Sequence, residues 1–331
     1  YQSLPSSDPH SLQDIELPAP TPGPRDLLVA VRAISVNPVD TKIRSNVAPA
    51  DGQAKVLGWD VAGVVQAVGS EVSLFQVGDE VYYAGALQRA GGNSELHVVD
   101  ERIVGHKPRS LGFAEAAALP LTAITAWELL FERLKIAEGS ASSGQSLLII
   151  GAAGGVGSIL TQLARQLTGL TVIGTASRPE TADWVRQLGA HHVIDHSQPL
   201  LPQLQQLGIQ QVNHVASLTH TDQHYDQLID ALAPQGQLAL IDDPAQLDVV
   251  KLKRKSLSLH WEFMYTRSLF ETPDMQAQHA LLERVAQLID AGTLHTTLGE
   301  HFGSINASNL RRAHTLLESG KARGKIVLEG F

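Results

Sequence analysis

The stretch SLLIIGAAGGVGSILTQLARQL, residues 146–167, decides the fold. It opens on an apolar β-type run, turns through small residues and continues as an amphipathic helix. That is the strand, turn and helix order of a βαβ unit. Ala152, Gly154 and Gly157 occupy the three positions of G-x-G-x-x-G, with alanine replacing the first glycine. Glycine at the second position lets the backbone approach a pyrophosphate, and at the third it lets helix and strand pack closely. The helix start adds N–H groups without intrahelical acceptors and the positive end of the helix dipole. Ala152, Ala153, Gly154, Gly155, Val156 and Gly157 are therefore expected to hold the phosphates of a dinucleotide.

The pattern around this unit repeats it. Strand candidates fall at 146–151, 171–176, 192–195, 211–216 and 236–241, separated by helical stretches, which describes a doubly wound parallel sheet of the Rossmann kind. Ahead of it, residues 27–119 carry short β-branched runs cut by Gly, Pro and Asp, such as DLLVAVRAISV and DEVYYAG, the marks of a compact antiparallel region. After it come two helical stretches, MQAQHALLERVAQLIDAG and NASNLRRAHTLLES, and a last strand, GKIVLEGF. These are expected to return to the first region. The chain thus divides into an α/β dinucleotide-binding domain over 122–263 and a β-rich domain over 1–121 and 264–331.

The end of the second strand of the α/β domain selects the cofactor. An acidic residue there would hold the ribose 2′-hydroxyl of NAD. Here the segment is GTASRPE, with Ser177 and Arg178 in place of an acid. Ser177 with Glu180 spells a capping box, so Ser177 is expected to start the next helix and add its N-terminus to the attraction for an anion. This favours a 2′-phosphate, hence NADPH.

Composition limits the partners. A formal charge of -9 opposes binding to nucleic acid or an anionic membrane. The basic run KLKRK at 251–255 goes against that balance and reads as a solvated strand or loop edge. No apolar run reaches the length of about 18 residues that a membrane span needs. There is no Cys, which removes disulfides, thiol nucleophiles and thiolate metal sites and fits the cytoplasm. The first ten residues lack the basic and apolar regions of a secretory signal. No Tyr is followed by Lys four residues on, so that device for polarising a carbonyl is missing. Of the 14 His, His191, His192 and His196 lie around the third α/β strand, and His220 and His224 lie beyond the fourth. They read as surface or cofactor-edge residues rather than metal ligands.

GWDVAGVVQAVGSEVSLFQVGDEVYYAG, then AAALPLTAITAWELL, then GAAGGVGS, resembles in this order the medium-chain dehydrogenase/reductase superfamily over essentially the whole chain. SVNPVDTKIR is similar to its zinc-independent quinone oxidoreductase branch, whose members often carry the label zinc-type alcohol dehydrogenase-like. The resemblance implies a GroES-like β-rich catalytic domain beside the Rossmann domain, and a homodimer paired through sheet edges. It also implies that Asn37 stands where zinc-dependent members have a Cys ligand, and Trp59 and Asp60 where they have a His-Glu pair. No metal ligand is expected. Trp59 would fill the vacated volume and wall a cleft, and Asp60 would bond backbone or Arg44.

Without a Lewis acid, reducing a plain ketone loses several kcal/mol of charge stabilisation, so an activated acceptor is indicated. Quinones and α,β-unsaturated carbonyls fit, because the delocalised oxyanion they form is held by ordinary hydrogen-bond donors. Candidate donors are Asn37, Lys42, Tyr83 and Thr125; Lys42 replaces the Tyr of many relatives, and alternation turns one of Tyr82 and Tyr83 to the cleft, with Tyr83 preferred. The resemblance further implies cofactor contacts at Thr125, His196 and Lys325. Substrate choice would lie in the loops 44–53, 86–93 and 261–274. A zinc alcohol dehydrogenase and a non-catalytic NADPH-binding sensor or structural protein remain alternatives.

Overall fold

The first strand organises half of the molecule. In the computed structural model, which describes residues 1–2, 4–49 and 54–331, β1 (Asp26–Val36) runs for eleven residues and pairs with three neighbours. Part of the loop 44–53 lies outside the described residues. After β1 come α1 (Pro38–Asn46), β2 (Val61–Val68), β3 (Glu80–Tyr83), β4 (Leu96–Asp100), β5 (Val104–His106), α2 (Phe113–Ala117) and α3 (Pro120–Trp127). Antiparallel β2 follows β1 along nearly its whole length, while β4 takes its first half and a C-terminal strand its second. Two register shifts against β2 bend β1, as inserted residues do, so that one strand serves several partners. Pro38 ends the strand and opens α1, where its fixed φ suits the first helical position and its missing N–H costs nothing.

The α/β unit, Thr125–Met264, contains β6 (Ser146–Ile150), α4 (Gly155–Leu167), β7 (Thr171–Thr175), α5 (Pro179–Gln187), β8 (His192–Ile194), α6 (Leu200–Gln206), β9 (Val212–Ser217), α7 (Thr221–Ala231), β10 (Leu232–Leu240) and β11 (Ser258–Trp261). All pairings are parallel, in the order β11-β10-β9-β6-β7-β8. From β6 the chain winds outward through β7 and β8, then crosses to β9 on the other side of β6. The carboxyl end of β6 is therefore the topological switch point, where this architecture binds ligands. Leu148, Ile150, Ile173, Val215, Leu238 and Leu240 form the core of this sheet against Leu200, Leu204, Tyr225 and Leu228.

All five strands expected in this unit are present, and β11 is a sixth that the sequence pattern did not reveal. It holds only SLHW and follows a 3₁₀ turn, Val249–Lys255, which contains the basic run expected to be a solvated strand or loop edge. Lys255 there donates to the carbonyls of Ile229, Asp230 and Leu232 at 2.7, 3.0 and 2.7 Å, closing the C-terminal end of α7. Its positive charge also suits that end of the helix dipole.

The chain returns to the first unit, Tyr1–Ile124 with Tyr265–Phe331, through α8 (Thr266–Phe270), α9 (Ala277–Asp290), β12 (Leu298–His301), α10 (Ala307–Glu318) and β13 (Lys325–Glu329). Its sheet runs β12-β13-β1-β2-β3-β5, with β4 added on β1. One helical stretch, Phe113–Arg133, is long and apolar enough to cross a membrane, contrary to the expectation of no such run. Within it 78% of the most apolar window is buried by protein, as in a core helix.

Neither tyrosine of β3 faces outward. Both are fully buried, and the Tyr82 hydroxyl donates to the Leu282 carbonyl of α9 at 2.6 Å. Tyr82→Phe is expected to lower the unfolding free energy by about 1–2 kcal/mol, with an unchanged slope in urea denaturation.

Candidate active site

The phosphate loop is built by close packing. After β6, Gly151 takes φ +78°, and the Gly154 N–H donates to its carbonyl at 3.1 Å. Gly154 then caps α4 in an extended conformation, and the first intrahelical bond runs from Ser158 N–H to Gly154 O at 2.9 Å. The N–H groups of Gly155, Val156 and Gly157 precede it and have no acceptor within the helix. A Cβ on Gly157 would lie 2.4 Å from the Gly151 oxygen and 2.6 Å from the Ala152 Cα, so only glycine lets α4 approach the loop. Ala152, in the position usually held by the first glycine, is fully buried, and a Cβ on Gly174 of β7 would come within 3.0 Å of its methyl. The missing side chain at 174 makes room for the extra carbon at 152. This cradle fits a dinucleotide pyrophosphate.

At the end of β7 the helix starts one residue later than expected. Arg178, not Ser177, caps α5, with Pro179 in its first position. Proline holds the preceding residue extended, and Arg178 has φ -117° and ψ 145°, so the Ser177–Glu180 capping box does not form. Ser177 is exposed, and the Arg178 guanidinium meets Glu180 at 3.3 Å. Beside them His196 Nδ1 lies 3.3 Å from Thr175 Oγ1, which also accepts the Gly151 N–H at 3.1 Å.

The β-rich unit holds a second polar centre, entirely buried. Asp60 Oδ2 accepts from Ser35 Oγ at 2.9 Å, Asn37 Nδ2 at 2.8 Å and Lys325 Nζ at 2.9 Å, and its Oδ1 accepts the Leu121 N–H at 2.7 Å. Lys325 completes its three donors with the Val36 carbonyl at 3.0 Å and Asn37 Oδ1. Trp59 is 1% exposed and turns its indole N–H to the Ala86 carbonyl at 3.4 Å, so it fills volume as expected but walls no open surface. Of the two partners expected for Asp60, backbone or Arg44, it takes backbone, at Leu121; Arg44 instead meets Glu318 and His314 Nδ1 of α10. Among the described residues no three His, Cys, Asp or Glu side chains converge as metal ligands. An amide, an indole and an ammonium-paired carboxylate do not make a zinc site.

The expected donors are therefore distributed unequally. Asn37 commits its amide hydrogens to the Trp59 carbonyl and Asp60. Tyr83 is a correction: it lies in the core rather than facing a cleft, its hydroxyl 2.9 Å from His97 Nδ1. Burial pulls His97 down to about 4, so the ring is neutral; its Nε2–H donates to the Ala90 carbonyl, leaving Nδ1 to accept from Tyr83. Lys325, expected at the cofactor, has its ammonium enclosed in the Asp60 network. Lys42 lies on the exposed face of α1, and Thr125 is buried in α3. The role of Lys325 was missed, although a lone cation inside the apolar run GKIVL is the signal that finds it.

Models of two domain families match the chain: the alcohol dehydrogenase GroES-like domain over residues 23–127 and the zinc-binding dehydrogenase over 188–328. A quinone oxidoreductase of Pseudomonas aeruginosa is 35% identical over 93% of this chain and 92% of its own length. The chain belongs to the medium-chain dehydrogenase/reductase superfamily, in its quinone oxidoreductase-like branch. Two solved members of the superfamily extend the likeness to the fold. A Rhizobium etli protein, provisionally named a zinc-dependent alcohol dehydrogenase, superposes with a TM-score of 0.96 at 55% identity, covering 100% of this chain and 96% of that one. The Escherichia coli quinone oxidoreductase complexed with NADPH gives 0.83 at 26% identity, covering 97% and 96%. The chain is an oxidoreductase of this superfamily, with the fold and phosphate loop of a nicotinamide-binding protein.

Two outcomes are expected. Gly157→Val places carbon against immobile backbone, so dinucleotide affinity should fall more than about 30-fold, measured by quenching of protein fluorescence. Asp40, wholly buried in α1, accepts the Asn37 N–H at 2.8 Å, and burial raises its carboxyl to about 7. Its folded value exceeds its ordinary 3.8, so its contribution to stability is complete below pH 4 and is lost as the pH rises to 7. Asp40→Asn should remove that dependence, with the variant gaining on the parent across pH 4–7 in denaturant titrations.

Proposed function

We propose that the chain is an NADPH-dependent, metal-free reductase of quinones or α,β-unsaturated carbonyls. The observation that carries the reading is the Asn37–Asp60–Lys325 network. Where zinc-dependent members of the superfamily gather ligands, this chain has a carboxylate with four donors and an ammonium with three acceptors, each satisfied from within. With no ligand set for a Lewis acid, the acceptor must arrive already activated. Ser177 and Arg178 at the end of β7, where an acid would select NAD, support the phosphorylated cofactor.

When bound, NADPH would provide the hydride for reducing a quinone or enone, whose oxyanion is delocalised. The chain's part is to hold and orient. The α4 N-terminus and its glycines take the pyrophosphate. Of the four candidate donors, Lys42 is exposed on α1 and Thr125 lies in the α/β unit, while Asn37 and Tyr83 act from the interior by fixing the start of α1 and the position of β3. The proton that completes the reduction comes from solvent or from the Thr125 hydroxyl.

The test is NADPH oxidation by chelator-treated protein against a panel of o-quinones, p-quinones and short enones, with NADH as control. Turnover that survives chelation and prefers NADPH is the expected result. Activity that appears only with added zinc would make the chain an alcohol dehydrogenase, and NADPH binding without turnover of any acceptor would make it a sensor.

A further inference from the structure

Three histidines stand together at the carboxyl edge of the parallel sheet. His196 follows β8, His220 caps α7 after β9, and His224 lies in the first turn of α7. The rings of His196 and His224 meet edge to face with centroids 6.0 Å apart. His196 Nδ1 reaches Thr175 Oγ1, the last side chain of β7, at 3.3 Å. His220 is held in the left-handed region at φ 50°, ψ 38°, a strained state for a side-chain-bearing residue, with Nδ1 2.7 Å from Thr219 Oγ1. His224 Nδ1 is enclosed and has no hydrogen-bond partner among the described residues.

This cluster borders the strand end that reads the adenosine ribose in Rossmann domains. Thr175 Oγ1 accepts the Gly151 N–H and also lies against His196 Nδ1. His196 is thereby tied to the residue that opens the phosphate loop. The charged groups facing the cluster are few. Asp195 and Asp222 favour protonation of the neighbouring rings, Arg178 is shared with Glu180, and Asp242 accepts from the Thr221 N–H and hydroxyl. Burial first, and the neighbouring imidazoles second, hold His224 below its ordinary value; burial also lowers His196, against which Asp195 works. Both shifts favour the neutral rings of His196 and His224, and an arriving dianion reverses the balance.

We propose that His196 and His224, with His220 beside them, seat the adenosine 2′-phosphate and that His196 and His224 take up protons as it binds, so that preference for NADPH over NADH grows as the pH falls. The proposal rests on the NADPH reading above and adds residues and a proton to it. A phosphate monoester, with its second pKa near 6, releases protons if it binds as the dianion, so uptake identifies the protein as the proton acceptor.

Calorimetric titration of NADPH and NADH into the whole protein between pH 6 and 8, in two buffers of different ionisation enthalpy, counts the protons exchanged. The expected result is net uptake with NADPH and little with NADH, with NADPH Kd weakening by about three- to tenfold per pH unit. In a His196→Asn/His224→Asn variant, shown to be folded by its denaturation curve, the uptake should vanish. Tight NADPH binding without uptake, or equal uptake with NADH, overturns the inference and leaves the cofactor reading standing. NADH binding with no NADPH binding at any pH overturns both. The wild-type proton count decides the matter even if the variant does not fold.

Discussion

The β-rich unit depends on one buried carboxylate. Asp60 binds the end of β1 through Ser35 and Asn37, the start of α3 through the Leu121 N–H, and β13 through Lys325. These segments are far apart in the chain, and one side chain fixes them together. Burying a carboxylate and an ammonium carries a desolvation cost of several kcal/mol per ion, which their attraction offsets only when the remaining lone pairs and protons are also bonded. Here they are: the carboxylate has four donors and the ammonium three acceptors. Removing one partner would leave the other charged, enclosed and unpaired, the more damaging change.

The same network occupies the position where the resemblance would put metal ligands. Metal ligands would clamp these segments and also offer a Lewis acid; the ion pair clamps them and offers none. Trp59 adds bulk and an N–H to the Ala86 carbonyl. The α/β unit is organised on a different principle. Its loop works by missing atoms, at Gly157 for the helix and at Gly174 for the methyl of Ala152.

The sequence by itself determined the α/β unit closely. Its five principal strands, the glycine turn between β6 and α4 and the return of the C-terminal segments to the first unit were all readable, because alternation of apolar runs with helical periods is a local property and glycine spacing is set by the loop's own contacts. Missed elements were short or governed by distant partners. The four residues of β11 carry too little pattern to register, and Lys255 looked like solvated charge because the carbonyls it caps lie more than twenty positions away. Ser177 spelled a capping box, but Pro179 moved the helix start by one residue.

Only the tertiary structure decided the polar residues. Period-two alternation turned one of Tyr82 and Tyr83 outward, yet α9 and His97 cover both faces of β3 there. Backbone or Arg44, 16 residues before it, was expected for Asp60; it does take a backbone N–H, yet α10 supplies Glu318 and His314 to Arg44 while β13 supplies Lys325 to Asp60. A buried charge selects its partner by position in space, and that position is set by sheet pairing between chain segments that no local pattern relates.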